Sequence, residues 1–369
     1  MYSEADLQSA IAAGALSSEA AEALRLHVLG KQAPTVADEE HFRLISGFND
    51  IFVTIACALV IFAAAAIGGQ LASWVSGLFV GAACWAMAEF FTRKRRMALP
   101  SIVLLLGFTI GLGVAAGSLI GVFLPEHAVS QSYTGPNGIT ENWQNFERYP
   151  WQQALMLAAG GLVAAIGAAL HWRRFQVAIT IAAGIAACVA LVLALLAAAL
   201  GRSPATQAIL TPAAFVCGLG TFAFAMWWDV RDPTRTTLRA DIAFWLHLLA
   251  APLIAHPLFY WMGALRGHDI GAATAVGVLA IYLVFAVVAL AVDRRALLVS
   301  ALAYVLTALG SLMRTFGSVE LSFALTALVI GAALLLLSAW WAPMRRALLS
   351  RLPANLAAHL PQGVSLRST

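Results

Sequence analysis

About ten continuous apolar stretches of roughly membrane-spanning length run through this chain, and the Lys and Arg residues fall almost entirely in alternate gaps between them. Nothing constrains the fold more. A run of about 20 apolar residues has no water to satisfy its backbone in lipid, so each must close its own hydrogen bonds as a helix. The runs are rich in Ala and Leu and lack polar alternation, which excludes a transmembrane β-barrel. The expected class is therefore all-α: a polytopic membrane protein of about ten helices, spanning roughly 51–69, 71–91, 99–124, 152–171, 176–200, 208–229, 241–263, 270–292, 296–313 and 321–343.

The charge pattern gives an orientation. With the N-terminus in the cytoplasm, all 22 basic residues except Arg148, Arg202, Arg266 and Arg314 lie on the cytoplasmic side, as the positive-inside rule requires. An odd number of spans would break the alternation, so both termini are expected inside. The formal charge of +4 reports this orientation and is no sign of nucleic-acid binding. The basic turns Thr92–Arg96, His171–Arg174, Val230–Arg239 and Asp293–Arg295 suggest four parallel hairpins, although any protein obeying the rule has basic turns at alternate loops.

Three regions follow: 1–49, a polar preface; 50–344, the membrane domain; and 345–369, a cytoplasmic tail. In the preface, Ser3 can cap a helix carrying Leu7 and Ile11 that ends at Gly14, and Ser18, with Glu19 and Glu22, can start a second that ends at Gly30. Two helices this short bury too little surface to stand alone, so residues 1–35 are expected to rest on a cytoplasmic protein partner, on the membrane domain or on a second copy. The preface is acidic at its start and lacks a basic segment before a short apolar core, so no cleavable signal is expected and the first span acts as an anchor. The long loop 125–150 on the other side carries aromatic residues suited to an interface, and reads either as a mobile loop or as a cover over a site.

Small residues recur every four positions at Gly113, Gly117 and Gly121 in the third span and at Gly160, Ala164 and Ala168 in the fourth. Such stripes let helix backbones approach closely in lipid, and predict a tight contact between spans three and four or their neighbours. Cys57, Cys84, Cys188 and Cys217 all fall within spans without a CxxC pair, and read as small packing residues.

Ionisable residues deep in a span are the natural candidates for function. Asp50, Glu89, Asp229, Asp241, Asp293 and Glu320 all fall near span ends, which argues against a pump built on a central carboxylate. Two histidines in the seventh span lie deeper. His247 and His256 sit roughly 9 and 22 Å beyond Asp241, with Pro252 between them. Pro252 and Pro257 each remove a helical hydrogen bond, so a helix broken at this point and lining a cavity is expected. Nine residues put the imidazoles on opposite faces, which argues against a shared metal ion. Each either bonds to a neighbouring helix or contributes to a polar pathway with partners such as Tyr304. No HExxH, GxSxG, Walker A or CxxCH signature is present, and no metal or cofactor is expected.

The hairpin from Leu7 to Leu29, the segment Asp38-Glu-Glu-His-Phe-Arg-Leu-Ile-Ser-Gly-Phe-Asn-Asp50, the stretch Phe244-Trp-Leu-His-Leu-Leu-Ala-Ala-Pro252 and the end from Leu348 to Leu360 resemble the DUF2157-type bacterial membrane proteins. The resemblance covers the preface and, by general plan, the membrane part. It implies a bacterial inner-membrane location and brings no assigned activity. Three functions are compatible with these features. The leading expectation is a permease-like transporter of a small solute or lipid. The alternatives are a scaffold whose N-terminal hairpin docks a cytoplasmic partner, and an enzyme on lipid-linked substrates using Glu126, His127 and Glu320.

Overall fold

Continuous apolar sequence closes into helices at the first eight predicted spans and at the tenth. The computed structural model describes residues 9, 11–23, 48–134, 136, 140–201, 204–232, 235, 237–263, 272–298, 302, 305–306, 319–353 and 360. The helices are α1 (Phe48–Gly69), α2 (Ser73–Ala88, continued by a π-helical turn Glu89–Lys94), α3 (Ala98–Val122), α4 (Pro150–Phe175), α5 (Ile179–Leu200), α6 (Pro204–Val230), α7 (Leu238–Trp261), α8 (Ala272–Val292), α9 (Val319–Ala339) and α10 (Trp341–Leu349). Among the described residues, seven helices are long and apolar enough to cross a bilayer, or eight if the bent pair formed by the end of α9 with α10 is one span. The expected ninth span, 296–313, lies largely outside the described residues.

The chain divides into two compact units, one of residues 1–41 with 362–369 and one of residues 42–361. In the first, Gly14 adopts a positive φ of 71° and the hydroxyl of Ser17 accepts from the amide of Ala20 at 3.1 Å. The second helix thus starts at Ser18, as expected, with the hydroxyl of the preceding Ser17 capping it. Ser3 and Gly30 lie outside the described residues.

In the second unit, hairpins α2–α3, α4–α5 and α6–α7 pack along their lengths, and α3 also packs on α4. At each of the four basic turns, or just after it, one non-glycine residue among those described lies in the left-handed region: Arg96, Gln176 (two residues beyond Arg174), Arg235 and Asp293, with φ from 52° to 61°. The amide of Gln176, for example, bonds back to the Trp172 carbonyl at 3.1 Å and closes α4. The polar end of α7 is set by Thr237, whose amide and hydroxyl both donate to Asp232 at 3.0 and 2.7 Å.

Three departures from the sequence reading stand out. The long loop 125–150 is an antiparallel β-hairpin, β1 (His127–Thr134) paired with β2 (Thr140–Glu147), with His127 opposite Glu147. Alternation in Ser130-Gln-Ser-Tyr133 and Asn142-Trp-Gln-Asn145 is too polar to announce itself as a strand. Helix α7 runs unbroken through Pro252 and Pro257, because neighbouring helices can support the one bond each proline removes. The last span stops at Ala339, after which the chain bends by 68° into α10.

Candidate functional site

The two histidines of α7 have different fates. His247 is fully buried, whereas His256 and Pro252 lie on the exposed side of the helix. Tyr304 lies outside the described residues. His247 does not face His256, as their spacing requires. Its Nε2 meets the Asp229 carboxylate at 2.9 Å. Arg294 donates to the same carboxylate through Nε at 3.3 Å and through Nη2, and also to the Ala240 carbonyl at 3.1 Å. Asp229, His247 and Arg294 are at most 2% exposed.

Their meeting follows from helix geometry. Side chains lean toward the N-terminus of their helix. Asp229, near the C-terminus of α6, therefore leans into the bundle. His247, ten positions into antiparallel α7, leans back toward the basic turns. Phe222 packs edge-on to the imidazole at 5.2 Å, and His247 Nδ1 is buried without a hydrogen-bond partner. Asp229 is the residue that sequence reasoning undervalued. It stands at a span end as expected, yet it is a buried acid joining three helical elements. The signal was the pairing of one acid at the end of the sixth span with the Asp293-Arg-Arg turn.

A second node adjoins the first along the chain. Asp293 receives Trp341 Nε1 at 2.8 Å and Arg235 Nη1 at 3.0 Å, with Arg345 Nε at 3.6 Å. Arg235 also donates to the Val292 and Asp293 carbonyls at 3.1 Å, and Arg345 to the Leu290 carbonyl at 3.2 Å. These cations close the C-terminus of α8, where free carbonyls and the helix dipole favour positive charge. Residues 341–349, placed by the sequence reading at the end of the last span and the start of the tail, are a docked helix. Elsewhere at this end, Glu89 takes Arg174 on both oxygens at 2.7 and 3.0 Å, besides the expected Arg93 at 3.2 Å.

The opposite end of the bundle carries an apolar groove. Gly113 and Gly160 face each other across α3 and α4: a Cβ on Gly160 would stand 2.7 Å from the Gly113 carbonyl oxygen. Gly117 lies equally close to α4, with a Cβ there 2.9 Å from the Met156 carbonyl oxygen, while Gly121 meets the Met156 side chain. This close approach leaves a groove of about 870 Å³ between α3, α4 and α5. Gly160, Gly161 and Ala164 of α4 and Ala183, Ala186 and Ala190 of α5 contribute small side chains to its walls. Phe146, Glu147 and Arg148, from the end of β2 and just beyond, lie at one end with Ser118 and Gln153.

The base of the hairpin is tied to the bundle around this mouth. Arg148 Nη2 pairs with Glu126 at 2.8 Å and donates to the Gly121 carbonyl at 3.2 Å. Gln152 donates to the Pro125 carbonyl at 3.2 Å and accepts from the Tyr149 amide at 2.8 Å. His127 stacks on Tyr149 with ring centroids 4.0 Å apart. Glu126 and His127 are thus engaged in holding the hairpin, and the side chain of Glu320 lies outside the described residues. Among the described residues no group of three or more His, Cys, Asp and Glu is arranged to hold a metal ion.

Long apolar helices with apolar outer faces define the class: a multi-pass integral membrane protein in contact with the lipid bilayer. Comparison with known protein families, with curated proteins and with solved structures gives no match.

Proposed function

We propose that this protein is a permease-like membrane protein that binds a lipid-like amphiphile in the groove between α3, α4 and α5. The observation that carries the reading is the groove itself, with its glycine- and alanine-rich walls and a polar mouth at one membrane interface. Ligand sites are typically concave, mostly apolar and supplied with a few placed polar groups, and this one has that composition. The buried histidine of α7 lends less support to a pathway: His247 is sealed and hydrogen-bonded to Asp229, and His256 points away from it. On this reading the protein is oriented with the basic turns in the cytoplasm of a bacterial cell. DUF2157-type membership remains part of the proposal.

The test fills the groove without touching the glycine contacts. Ala190 is exposed on α5 and lines the opening, so Ala190→Trp should occlude it while the helices still pack. Native mass spectrometry of the full-length protein, released from nanodiscs and progressively delipidated, should show one strongly retained lipid per chain, absent from Ala190→Trp. Equal retention by both proteins would overturn the proposal. Transport is tested separately, by following a fluorescent lipid across proteoliposomes containing either protein.

A further inference from the structure

The charges at the groove mouth specify a class of amphiphile. This step rests on the groove being a binding site. The mouth presents one guanidinium and two carboxylates: Arg148 and Glu147 line the groove, and Glu126 pairs with Arg148 at 2.8 Å. Arg148 is also one of only four basic residues that the sequence places on the hairpin side, so its position there runs against the general charge pattern of the chain.

The guanidinium is held but incompletely used. Its Nη2 serves Glu126 and the Gly121 carbonyl, whereas Nε is buried with no hydrogen-bond partner. A guanidinium carries five N–H donors in a fixed fork; Nε is turned into the protein, while the rest of the half-buried side chain stays accessible from the groove. A phosphate oxygen is the acceptor this fork matches best. Glu147, directly opposite His127 in the hairpin register, is exposed and carries a further negative charge. A purely anionic headgroup would meet two carboxylates for one guanidinium, and a purely cationic one would meet the guanidinium. A headgroup with phosphate and ammonium side by side satisfies both signs.

The apolar part fits the same ligand. On α3 the lining runs from Leu106 to Ser118, a rise of about 18 Å, which is more than half of a hydrocarbon core of about 30 Å. A tail entering at the headgroup level of the hairpin side would lie in the groove beyond the midplane. We infer that the groove holds one zwitterionic phospholipid from the leaflet on the hairpin side. Its phosphate engages Arg148, its ammonium group lies by Glu147 and Glu126, and its acyl chain packs against Gly160, Ala164 and Ala186.

The experiment uses full-length protein in nanodiscs of equal parts phosphatidylethanolamine, phosphatidylglycerol and diacylglycerol, with retained lipid identified by native mass spectrometry. Wild type should retain phosphatidylethanolamine about tenfold over phosphatidylglycerol, a preference worth about 1.4 kcal/mol. Glu147→Gln should bring that ratio toward one. Arg148→Gln should remove the preference for both phospholipids over diacylglycerol, and Arg148→Lys should restore part of it, which separates lost charge from lost folding. Ala190→Trp should empty the groove whatever the headgroup. Retention of all three lipids alike by wild type, with Ala190→Trp still empty, overturns the headgroup assignment and leaves the groove reading intact. A preference for phosphatidylglycerol also overturns it. Retention unaffected by Ala190→Trp overturns the groove reading itself.

Discussion

Replacing Arg294 by Met leaves a carboxylate in the membrane bundle with a neutral or singly shared partner, and the structure allows the cost to be worked out. Asp229 is 1% exposed and, among the described residues, its oxygens are met by His247 and Arg294. Removing one partner of such a buried pair costs about 3–5 kcal/mol, because the remaining charge stays desolvated. His247 offsets part of this by holding Oδ2, which places Arg294→Met near the lower end, at roughly 3 kcal/mol. Removing both charges is different: the double variant Asp229→Leu with Arg294→Met abolishes the desolvation penalty along with the attraction, and such replacements are often close to neutral. The double variant should therefore be more stable than Arg294→Met alone, with an interaction energy of about 2–3 kcal/mol in a double-mutant cycle. Thermal unfolding of the solubilised full-length protein, read by the fluorescence of its 11 Trp residues, measures this. At roughly 2 °C per kcal/mol, Arg294→Met should unfold on the order of 6 °C below wild type. Additive effects of the two substitutions, or an Arg294→Met protein unfolding with wild type, would refute the argument that the triad is a coupled, desolvated unit.

Two other outcomes are expected. Gly160→Leu should destabilise the α3–α4 contact by about 1–3 kcal/mol, since its Cβ alone would stand 2.7 Å from the Gly113 carbonyl oxygen; a thermal midpoint equal to wild type would show that the helices can separate freely. For orientation, Ser132→Cys in the exposed hairpin should react with an impermeant maleimide on intact spheroplasts, and Ser350→Cys after α10 only once the membrane is opened; the reverse pattern would invert the proposed topology.

The helices were legible because lipid leaves the backbone no alternative, so apolar length alone marks them. The first seven predicted spans match α1 to α7 to within a few residues at each end. The glycine contact could be read for a similar reason: small residues every four positions have little other use in a helix. What the sequence hid depends on pairings between distant segments. Asp229 looked like an interface acid because its own span ends there, and only the side-chain lean of two antiparallel helices brings it to His247. The hairpin was obscured by strands with no apolar face to bury. The groove is a property of three helices at once, and the small residues of α5 that open it also look like ordinary packing residues. Pro252 misled in the opposite direction, since the sequence shows the lost hydrogen bond but not the neighbours that make it affordable.

The basic turns add a point that the charge pattern alone could not. Positive-inside selection explains why Arg and Lys recur at alternate loops, and it says nothing about backbone conformation. Yet Arg96, Gln176, Arg235 and Asp293 each adopt a left-handed conformation in the four successive turns at that end. For an L-residue this conformation is disfavoured by about 1–2 kcal/mol. A tight reversal after a helix calls for it, but glycine, which meets no such penalty, occupies none of the four. At Arg235 and Asp293 the reason is visible: their side chains pair at 3.0 Å and tie the α6–α7 turn to the end of α8, where Asp293 also holds Trp341 of α10. A glycine there would relax the backbone and remove the ion pair. Gln176, by contrast, is exposed and no bond of its side chain is seen, so the same turn geometry is retained without that return. The shared geometry therefore follows from the common need to reverse the chain tightly after a helix, and the side chain at each turn is free to take its own use.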